Sequence, residues 1–548
     1  MSTMPKSTYN FIPSELPRAF RDQQLHWNSP ANFISPPYSE QYHYSSFQQY
    51  PVYSYYHHSF SACALQEYVM SCPPSRRPSP PLLEHKEMDE KFYRLLDELF
   101  AHPAPCVDRD EIRRLRSEVL TCLNNLAVYW IGRQAERLSL ERSQLEKTVF
   151  VKAFGSHGLG LTTYNSDLDA VLVAPRYVTR EEVFRGFVEL LRQQENVKEV
   201  CPVENTFVPV IKFLYYGIEV DLTFAALRTT SMPDDASLLS DDILRDMDEK
   251  SVKSLNGWRV SRYLLSYVPD VKVFRAVLTF VKHWAMQRLI YSNTLGYLGG
   301  VSWAILVAHI CRVNAGMSVR KHVKSFFKEF SEWNWQSRPV NINQADNPYN
   351  HIEGFVGLDA YMMPIITPCK PYQNSSFNVT RTTFHNIRQE MRSALAVLRA
   401  DNHVWADVLA TRNPLDEYEM FLTVISTAKC ESSLHRWRGV VESKLRPMLP
   451  NLEKVNGMQR CQIFPQIYKL SDGDWQDTVH CAWIIGIDYV HPNQMNELSA
   501  VVREFRQNIQ YYNHFNGSGS DQNVTVLRKT SAKLRETLTV YASSDPKK

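Results

Sequence analysis

The stretch Phe154–Ala174, FGSHGLGLTTYNSDLDAVLVA, decides the fold of this chain. A Gly-Ser pair and a glycine-rich turn lead into Asp167-Leu168-Asp169 and then an apolar run. Side chains alternate along a strand, so Asp167 and Asp169 should project from one face. Adjacent carboxylates repel unless they are exposed or share a divalent cation, and Mg²⁺ binds few carboxylates plus substrate phosphates. The stretch therefore predicts a phosphate-handling Mg²⁺ site, with backbone N–H groups of Gly155-Ser156 facing the phosphates.

A third acidic residue lies in a later hairpin. Phe207–Ala226, FVPVIKFLYYGIEVDLTFAA, predicts strands at Val210–Tyr215 and Ile218–Phe224 around a turn at Tyr216-Gly217. Asp221 lies inside the second strand, where an acid needs a partner. Taken by itself, Asp221 could be explained by a structural salt bridge. Beside Asp167 and Asp169, three converging carboxylates instead suit two metal ions ~3.5–4 Å apart.

Length and composition limit the remaining possibilities. The 548 residues predict roughly three domains. The net charge of +3, from 61 basic and 58 acidic residues, means that any nucleic-acid-binding surface must be local. Ten cysteines without CxxC pairs favour a reducing compartment. We expect no signal peptide and no membrane span.

Changes in sequence texture predict five segments. Residues 1–85 are rich in Tyr, Ser and Pro and are expected to be disordered. Residues 86–112 and 231–400 carry helical periodicity and form a helical middle domain around a catalytic domain at 113–230. A further α/β domain occupies 401–515, and 516–548 are expected to be a flexible tail.

The 401–515 segment has a β-α-β-β-α order, which suits the split α/β sandwich of many RNA-binding modules. Its first helix carries a basic cluster that could follow a phosphate backbone. A solvated charged face is the alternative explanation. The cluster consists of Arg436, Arg438, Lys444 and Arg446.

The ordered set Gly155-Ser156, Asp167-x-Asp169 and Asp221 resembles the catalytic signature of polymerase-β-like nucleotidyltransferases. Further stretches make the chain, over about residues 85–515, similar to eukaryotic poly(A) polymerases. They are Ser254–Arg259 (SLNGWR), Ile290–Asn293 (IYSN), Leu298–Trp303 (LGGVSW), Met363–Pro368 (MPIITP), Gln373–Asn378 (QNSSFN) and Trp437–Ser443 (WRGVVES).

This resemblance implies an α+β multidomain fold. A polymerase-β-like nucleotidyltransferase palm would be inserted in a helical middle domain, followed by a ferredoxin-like, RRM-like RNA-binding domain. It implies template-independent addition of a poly(A) tail to RNA 3′ ends from ATP, with two Mg²⁺ or Mn²⁺ ions held by Asp167, Asp169 and Asp221. The implied ATP contacts are Phe154, Gly155, Ser156, Thr163, Asp221, Lys282, Tyr291, Asn293, Gly300 and Val301.

The resemblance also implies partners and a location. The implied partners are ATP, the RNA 3′ end and factors of mRNA 3′-end processing that deliver the RNA. The implied protein is a monomer in the nucleus, with the cytoplasm left open. A terminal uridylyltransferase and a catalytically weakened RNA-binding paralogue are the alternatives.

Three departures from the family pattern accompany the resemblance. His157-Gly158 stands where members usually have Tyr-Arg, Met286-Gln287 stands where basic residues are usual, and a Trp-Asp-Pro segment is missing around Asn347–Tyr361. The first two departures remove positive charge from the region expected to bind phosphate.

Overall fold

The structure is a computed structural model that describes residues 90–96, 109–139, 150–161, 166–343, 361–400, 404–473, 478–489, 495–516 and 522–541. The predicted tail at 1–85 and Thr163 lie outside the described residues. So does the Trp-Asp-Pro region, apart from its last residue.

A five-stranded sheet carries the opening motif. Its strands are Val151–Ala153 (β1), Leu168–Ala174 (β2), Val197–Val203 (β3), Val210–Tyr215 (β4) and Ile218–Ala226 (β5). The order is β1-β2-β5-β4-β3, with β2 and β5 parallel and the other pairs antiparallel. The predicted hairpin is confirmed, since Tyr216 and Gly217 both have positive φ, as a tight primed turn requires. Because β2 and β5 are neighbours, their acidic residues come together.

Helices flank this sheet and continue into a helical layer. Leu168 and residues 170–174 of β2 are buried, whereas Asp167 is exposed and Asp169 is half-buried, so the predicted alternation holds at the motif. The helices run over Arg109–Arg137 (α1), Gly155–Leu159 (α2), Arg180–Glu182 continued by Val183–Phe187 and Val188–Arg192 (α3), Asp235–Leu239 (α4), Glu249–Tyr267 (α5), Val271–Gln287 (α6), Gly300–Val313 (α7), Val319–Glu332 (α8), Arg381–Arg399 (α9) and Trp405–Val408 (α10).

The C-terminal sheet contains a strand that we had not predicted. Its elements are Met420–Ala428 (β6), Glu431–Glu453 (α11), Met458–Ile463 (β7), Tyr468–Leu470 (β8), Val479–Tyr489 (β9), Met495–Asn516 (α12), Asn523–Thr530 (β10), Ser531–Thr537 (α13) and Leu538–Val540 (β11). The sheet order is β10-β6-β9-β8-β11, with β7 paired to β9. β10 completes a β-α-β-β-α-β unit of the ferredoxin-like kind.

The prediction of a flexible tail is therefore wrong for Asn523–Val540. Strand β10 pairs with β6 along its whole length, and β11 pairs with β8. The Arg535 guanidinium donates to the Leu415 carbonyl at 2.7 Å, and Lys529 bonds the Asp472 carboxylate at 2.6 Å. These contacts stabilise a segment whose own sequence looks merely basic.

Both faces of the C-terminal sheet are covered. On one face, Leu422 and Val424 of β6 pack in the same core as α11 and α12. On the other face, Phe421 and Ile425 pack with Leu534 of α13, and Leu289 joins them from the helical layer. RNA-recognition modules stack bases on an open sheet face. Here the protein's own helices occupy both faces, so neither face is open in that way.

Candidate active site

The structure brings the three predicted carboxylates together. Carboxylate oxygens of Asp167, Asp169 and Asp221 all lie within 4.8 Å of one another. Asp167 precedes β2, Asp169 lies within it, and the parallel register places Asp169 directly beside Asp221 of β5. Oxygen ligands at this spacing match what Mg²⁺ and Mn²⁺ bind.

The electrostatics of the three carboxylates also favour a bound cation. Burial, followed by the charges of Asp167 and Asp221, raises the pKa of Asp169 to about 7. Burial and then Asp221 raise the pKa of Asp167. A divalent ion would offset this repulsion, so the residues present fit the expected metal.

Lys212 is a site residue that the sequence analysis missed. It lies opposite Asp221 in the β4–β5 hairpin, and its ammonium pairs with the Asp221 carboxylate. The signal was available, because a two-residue turn at 216–217 fixes this pairing. Lys212 therefore supplies positive charge at the edge of the three carboxylates.

Gly155 holds the glycine-rich turn against the carboxylates. Its φ is +59°, and a Cβ built there would overlap the Asp169 carboxylate. Its neighbour Phe154 is held in turn by α5, since a Cβ on Gly257 would lie 2.8 Å from the Phe154 ring. Positions 155 and 257 thus require glycine because neighbouring atoms leave no room for a Cβ, and not only because the chain needs flexibility there.

A cleft of about 1610 Å³ extends from the carboxylates between α2, α5 and α6. Asn293 is exposed and is not among the residues that line the cleft; Asn378 Nδ2 donates to its carbonyl at 3.0 Å. Most of the ATP contacts implied by the resemblance line the cleft, namely Phe154, Gly155, Ser156, Lys282, Tyr291, Gly300 and Val301.

Lys282 and Tyr291 form a polar wall of this cleft. The Lys282 Nζ lies 5.8 Å from the centre of the Tyr291 ring. Burial lowers the pKa of Lys282, and the Asp167 and Asp169 carboxylates act against that shift. Burial raises the pKa of Tyr291 to about 12, so its hydroxyl stays protonated and can donate. The wall presents donors suited to an anionic ligand.

Asn256 of α5 is a second residue without a role in the sequence analysis. It is 6% exposed and lines the cleft, and its Oδ1 has no hydrogen-bond partner among the described residues. A buried amide oxygen without a donor is costly, so this atom fits a ligand hydroxyl or amine. The stretch SLNGWR had contributed only to the family resemblance.

The two departures that remove positive charge have different surroundings. A Cβ on Gly158 would lie 3.0 Å from the Ala153 carbonyl oxygen of β1, so a side chain there would push against the strand backbone. Met286 lines the cleft and is 47% exposed, with space for a longer polar side chain. The second position can accept a lysine without rebuilding the backbone.

The basic cluster predicted in the C-terminal domain lies on α11. Residues 436, 438, 444 and 446 fall at widely separated angles around a helix of 3.6 residues per turn. Lys444 Nζ lies 5.4 Å from the centre of the Tyr512 ring. The four side chains therefore do not form one continuous stripe.

Comparisons with known proteins show which family the chain matches. Three family models match successive parts of the chain: the Poly(A) polymerase nucleotidyltransferase domain at residues 85–268, the Poly(A) polymerase central domain at 273–410 and the Poly(A) polymerase predicted RNA binding domain at 415–477. These matches confirm the predicted fold class, a nucleotidyltransferase domain and a helical domain followed by an RNA-binding domain.

Curated relatives agree with the family models. The chain is 31% identical to Nuclear poly(A) polymerase 4 of Arabidopsis thaliana over 74% of this chain and 56% of that one. Poly(A) polymerase of Dictyostelium discoideum is also 31% identical, over 72% and 51%. The chain spans about half the length of these relatives.

Solved structures are more distant. One described as the Cid1 poly (U) polymerase bound to MgATP has a TM-score of 0.42 and 15% identity, and it covers 60% of this chain and 100% of that one. A similarity this low does not decide which nucleotide is used.

Proposed function

This chain belongs to the poly(A) polymerase family of nucleotidyltransferases, and we propose that it adds adenylate residues to RNA 3′ ends from ATP without a template. The observation that carries the proposal is the carboxylate set Asp167, Asp169 and Asp221 at the end of a cleft lined by Lys282 and Tyr291. We propose these residues as the metal ligands and ATP contacts, together with the other positions that line the cleft.

The reaction needs positioning and charge compensation more than covalent chemistry. Two Mg²⁺ or Mn²⁺ ions, when bound, would lower the pKa of the RNA 3′-hydroxyl and neutralise the triphosphate. The carboxylates hold that charge in place, and Lys282 faces the triphosphate. Gly155 and Ser156 let the phosphates approach the backbone, and Tyr291 donates from the cleft wall.

The extension assay that tests this proposal supplies each of the four nucleoside triphosphates separately with a generic RNA. We expect lengthening from ATP with Mg²⁺ or Mn²⁺. Preferential use of UTP would favour a terminal uridylyltransferase. RNA binding without incorporation of any nucleotide would favour a weakened paralogue.

Relatives named nuclear poly(A) polymerases favour the nucleus as the place of action and mRNA 3′ ends as the substrate. We propose that processing factors deliver the RNA and that the protein acts as a monomer. Of the helices that the structure describes, none has the length and apolarity needed to cross a bilayer.

Replacing Asn256 with Ala should raise KM for ATP or lower kcat on the order of tenfold, because a buried acceptor for the ligand is lost. Steady-state kinetics with ATP varied measures this. The matched control is Ser261→Ala on the same cleft wall, whose hydroxyl is already bonded to the Gly257 carbonyl at 3.0 Å. Equal effects of the two substitutions would contradict a ligand-facing role for Asn256.

Met286→Lys should lower KM for ATP two- to fivefold, or roughly 0.5–1 kcal/mol, because it adds a cation one turn from Lys282. The measurement is KM for ATP at low and high salt, since screening should reduce the gain. Met317→Lys is the control, because Met317 is similarly exposed and does not line the cleft. An unchanged KM in Met286→Lys would place the triphosphate away from this end of α6.

A further inference from the structure

Helix α9 carries a row of basic side chains. Arg381, His385, Arg388 and Arg392 follow one another at intervals of four, three and four residues, which places them on one face of the helix. Arg381, His385 and Arg392 are exposed, and Arg388 is half-buried. The stripe is about 17 Å long at 1.5 Å per residue. We call it the α9 stripe.

The positive charge of the α9 stripe is not balanced within the described part of the chain. Glu390 is the only acidic residue of α9, and it is buried on another face, where it bonds Arg288 at 2.7 Å. Within the described residues, no carboxylate forms an ion pair with Arg381, Arg388 or Arg392. Like charges four residues apart, such as Arg388 and Arg392, destabilise a helix. The fold itself does not explain this row.

Arg388 has a buried donor atom that the described residues leave unsatisfied. Its guanidinium lies 5.4 Å from the centre of the Phe384 ring, and its buried Nε has no acceptor among the described residues. Burial, and then the charge of Arg392, lowers the pKa of Arg388. An anion would supply the missing acceptor and relieve the repulsion between the two guanidinium groups.

The chain passes from the active-site cleft into the stripe, because Gln373 lines the cleft and lies eight residues before Arg381. Just before α9, Asn378 Nδ2 donates to the Asn293 carbonyl at 3.0 Å. A Cβ on Gly296 would lie 3.1 Å from the Asn378 carbonyl oxygen, so the segment leading to Gly300 packs against the start of α9. Phe377 lies four residues before Arg381 in the chain and is 59% exposed. An exposed ring next to a basic row is the arrangement that binds single-stranded nucleic acid.

We propose that the α9 stripe binds the phosphate backbone of the RNA strand upstream of the 3′ end, with Phe377 stacking on a base at the cleft exit. The proposal rests on the proposed function for its substrate. RNA is favoured over an acidic protein because the segment that runs from the cleft at Gln373 into the row carries an exposed ring, Phe377. The covered faces of the C-terminal sheet leave the RNA strand in need of another surface.

The test compares two triple variants of equal charge change. Arg381→Gln/Arg388→Gln/Arg392→Gln removes the α9 stripe, whereas Lys321→Gln/Lys324→Gln/Lys328→Gln removes exposed lysines from α8. Fluorescence anisotropy with an RNA of ~15 nucleotides, in EDTA and across a salt series, measures binding without catalysis. We expect the α9 variant to bind about tenfold more weakly at low salt. The slope of log binding constant against log salt concentration should be smaller in magnitude by about 2, as the loss of three phosphate contacts predicts.

Extension kinetics provide the second measurement. The α9 variant should raise KM for the long RNA while leaving KM for ATP and extension of a primer of ~4 nucleotides unchanged, because a short primer does not reach the stripe. Its melting temperature should not fall, because a repulsive pair is removed. Equal loss of RNA binding in both triple variants, or none in the α9 variant, would overturn the proposal. The proposal would also be overturned if both proteins bound RNA with the same affinity and polyglutamate displaced RNA from the wild type but not from the α9 variant.

The two proposals fail in different ways. If wild-type protein binds RNA but extends it with no nucleotide, the proposed function fails and the anisotropy comparison still decides the role of the stripe. If wild-type protein extends RNA and both triple variants bind it equally, the proposed function stands and the stripe proposal fails.

Discussion

Asp169→Asn is expected to reduce RNA extension on the order of 10³-fold or more while making the metal-free protein more stable. The activity falls because the charge that holds the ions is lost, and metal stabilisation is worth several kcal/mol. The stability rises because the substitution removes one of three crowded carboxylates. Extension assays and thermal melts in EDTA measure the two effects.

The gain in stability should depend on pH. Burial and the neighbouring Asp167 and Asp221 carboxylates raise the pKa of Asp169 from 3.8 to about 7. The folded state then holds a proton that the unfolded state releases, so stability decreases as pH rises from about 4 to about 7. The penalty is fully present above pH 7 and absent below pH 4, and at ~1.4 kcal/mol per pKa unit it is on the order of 4 kcal/mol.

We therefore expect the advantage of Asp169→Asn over wild type to be large at pH 8 and smaller at pH 5. Addition of Mn²⁺ at pH 8 should raise the melting temperature of wild type and not of the variant. A variant that retains extension activity would exclude Asp169 as a metal ligand. Equal melting temperatures in EDTA at pH 8 would show that the three carboxylates do not repel one another in the metal-free protein.

Local patterns were sufficient to predict the hairpin and the three acids. A two-residue turn fixes the β4–β5 register, so the pairing of Lys212 with Asp221 could have been predicted from spacing, although our sequence analysis missed it. The pairing of Asp169 with Asp221 did not, since β2 and β5 are parallel and joined through β3 and β4. Their register depends on packing between distant segments, so the strand and hairpin pattern predicted that the carboxylates converge but not which residues pair.

The C-terminal strand shows where local reasoning fails. β10 reads NVTVLRKT, and only Val524 is buried. Its Val and Thr residues favour a strand, but nothing in the segment shows which strand it pairs with, and the pairing with β6 is nonlocal. Asn256 illustrates the same limit at the site, because only the folded cleft shows that its Oδ1 has no internal partner.

The α9 stripe is partly visible in the local sequence and partly dependent on the fold. Its spacing is visible in the sequence, but basic helix faces are common and usually solvated. Two nonlocal facts give it meaning: Glu390 is turned inward toward Arg288 and Arg412, and the start of α9 touches the segment beside Asn293. A local motif thus became a candidate RNA surface only after its helix was placed.

Gly155→Ala is expected to reduce extension about 10²-fold with a loss of only about 1 kcal/mol in folding free energy. A non-glycine residue at φ +59° costs about 1 kcal/mol. The larger effect comes from the added methyl group, whose carbon would overlap the Asp169 carboxylate. Either the turn or the carboxylate must move, and a displacement near 1 Å at a reacting centre costs about 10²-fold.

Gly217→Ala is the matched control for this prediction. Gly217 has φ +79° at the hairpin turn, and a Cβ there would meet no atom within 4 Å. Both variants should therefore lose similar stability, whereas only Gly155→Ala should lose activity and the Mn²⁺-dependent rise in melting temperature. If both variants extended RNA at the wild-type rate, the glycine-rich turn would not hold the metal-binding carboxylate in place. If both lost activity equally, backbone strain alone would account for the effect, and contact with Asp169 would have no part in it.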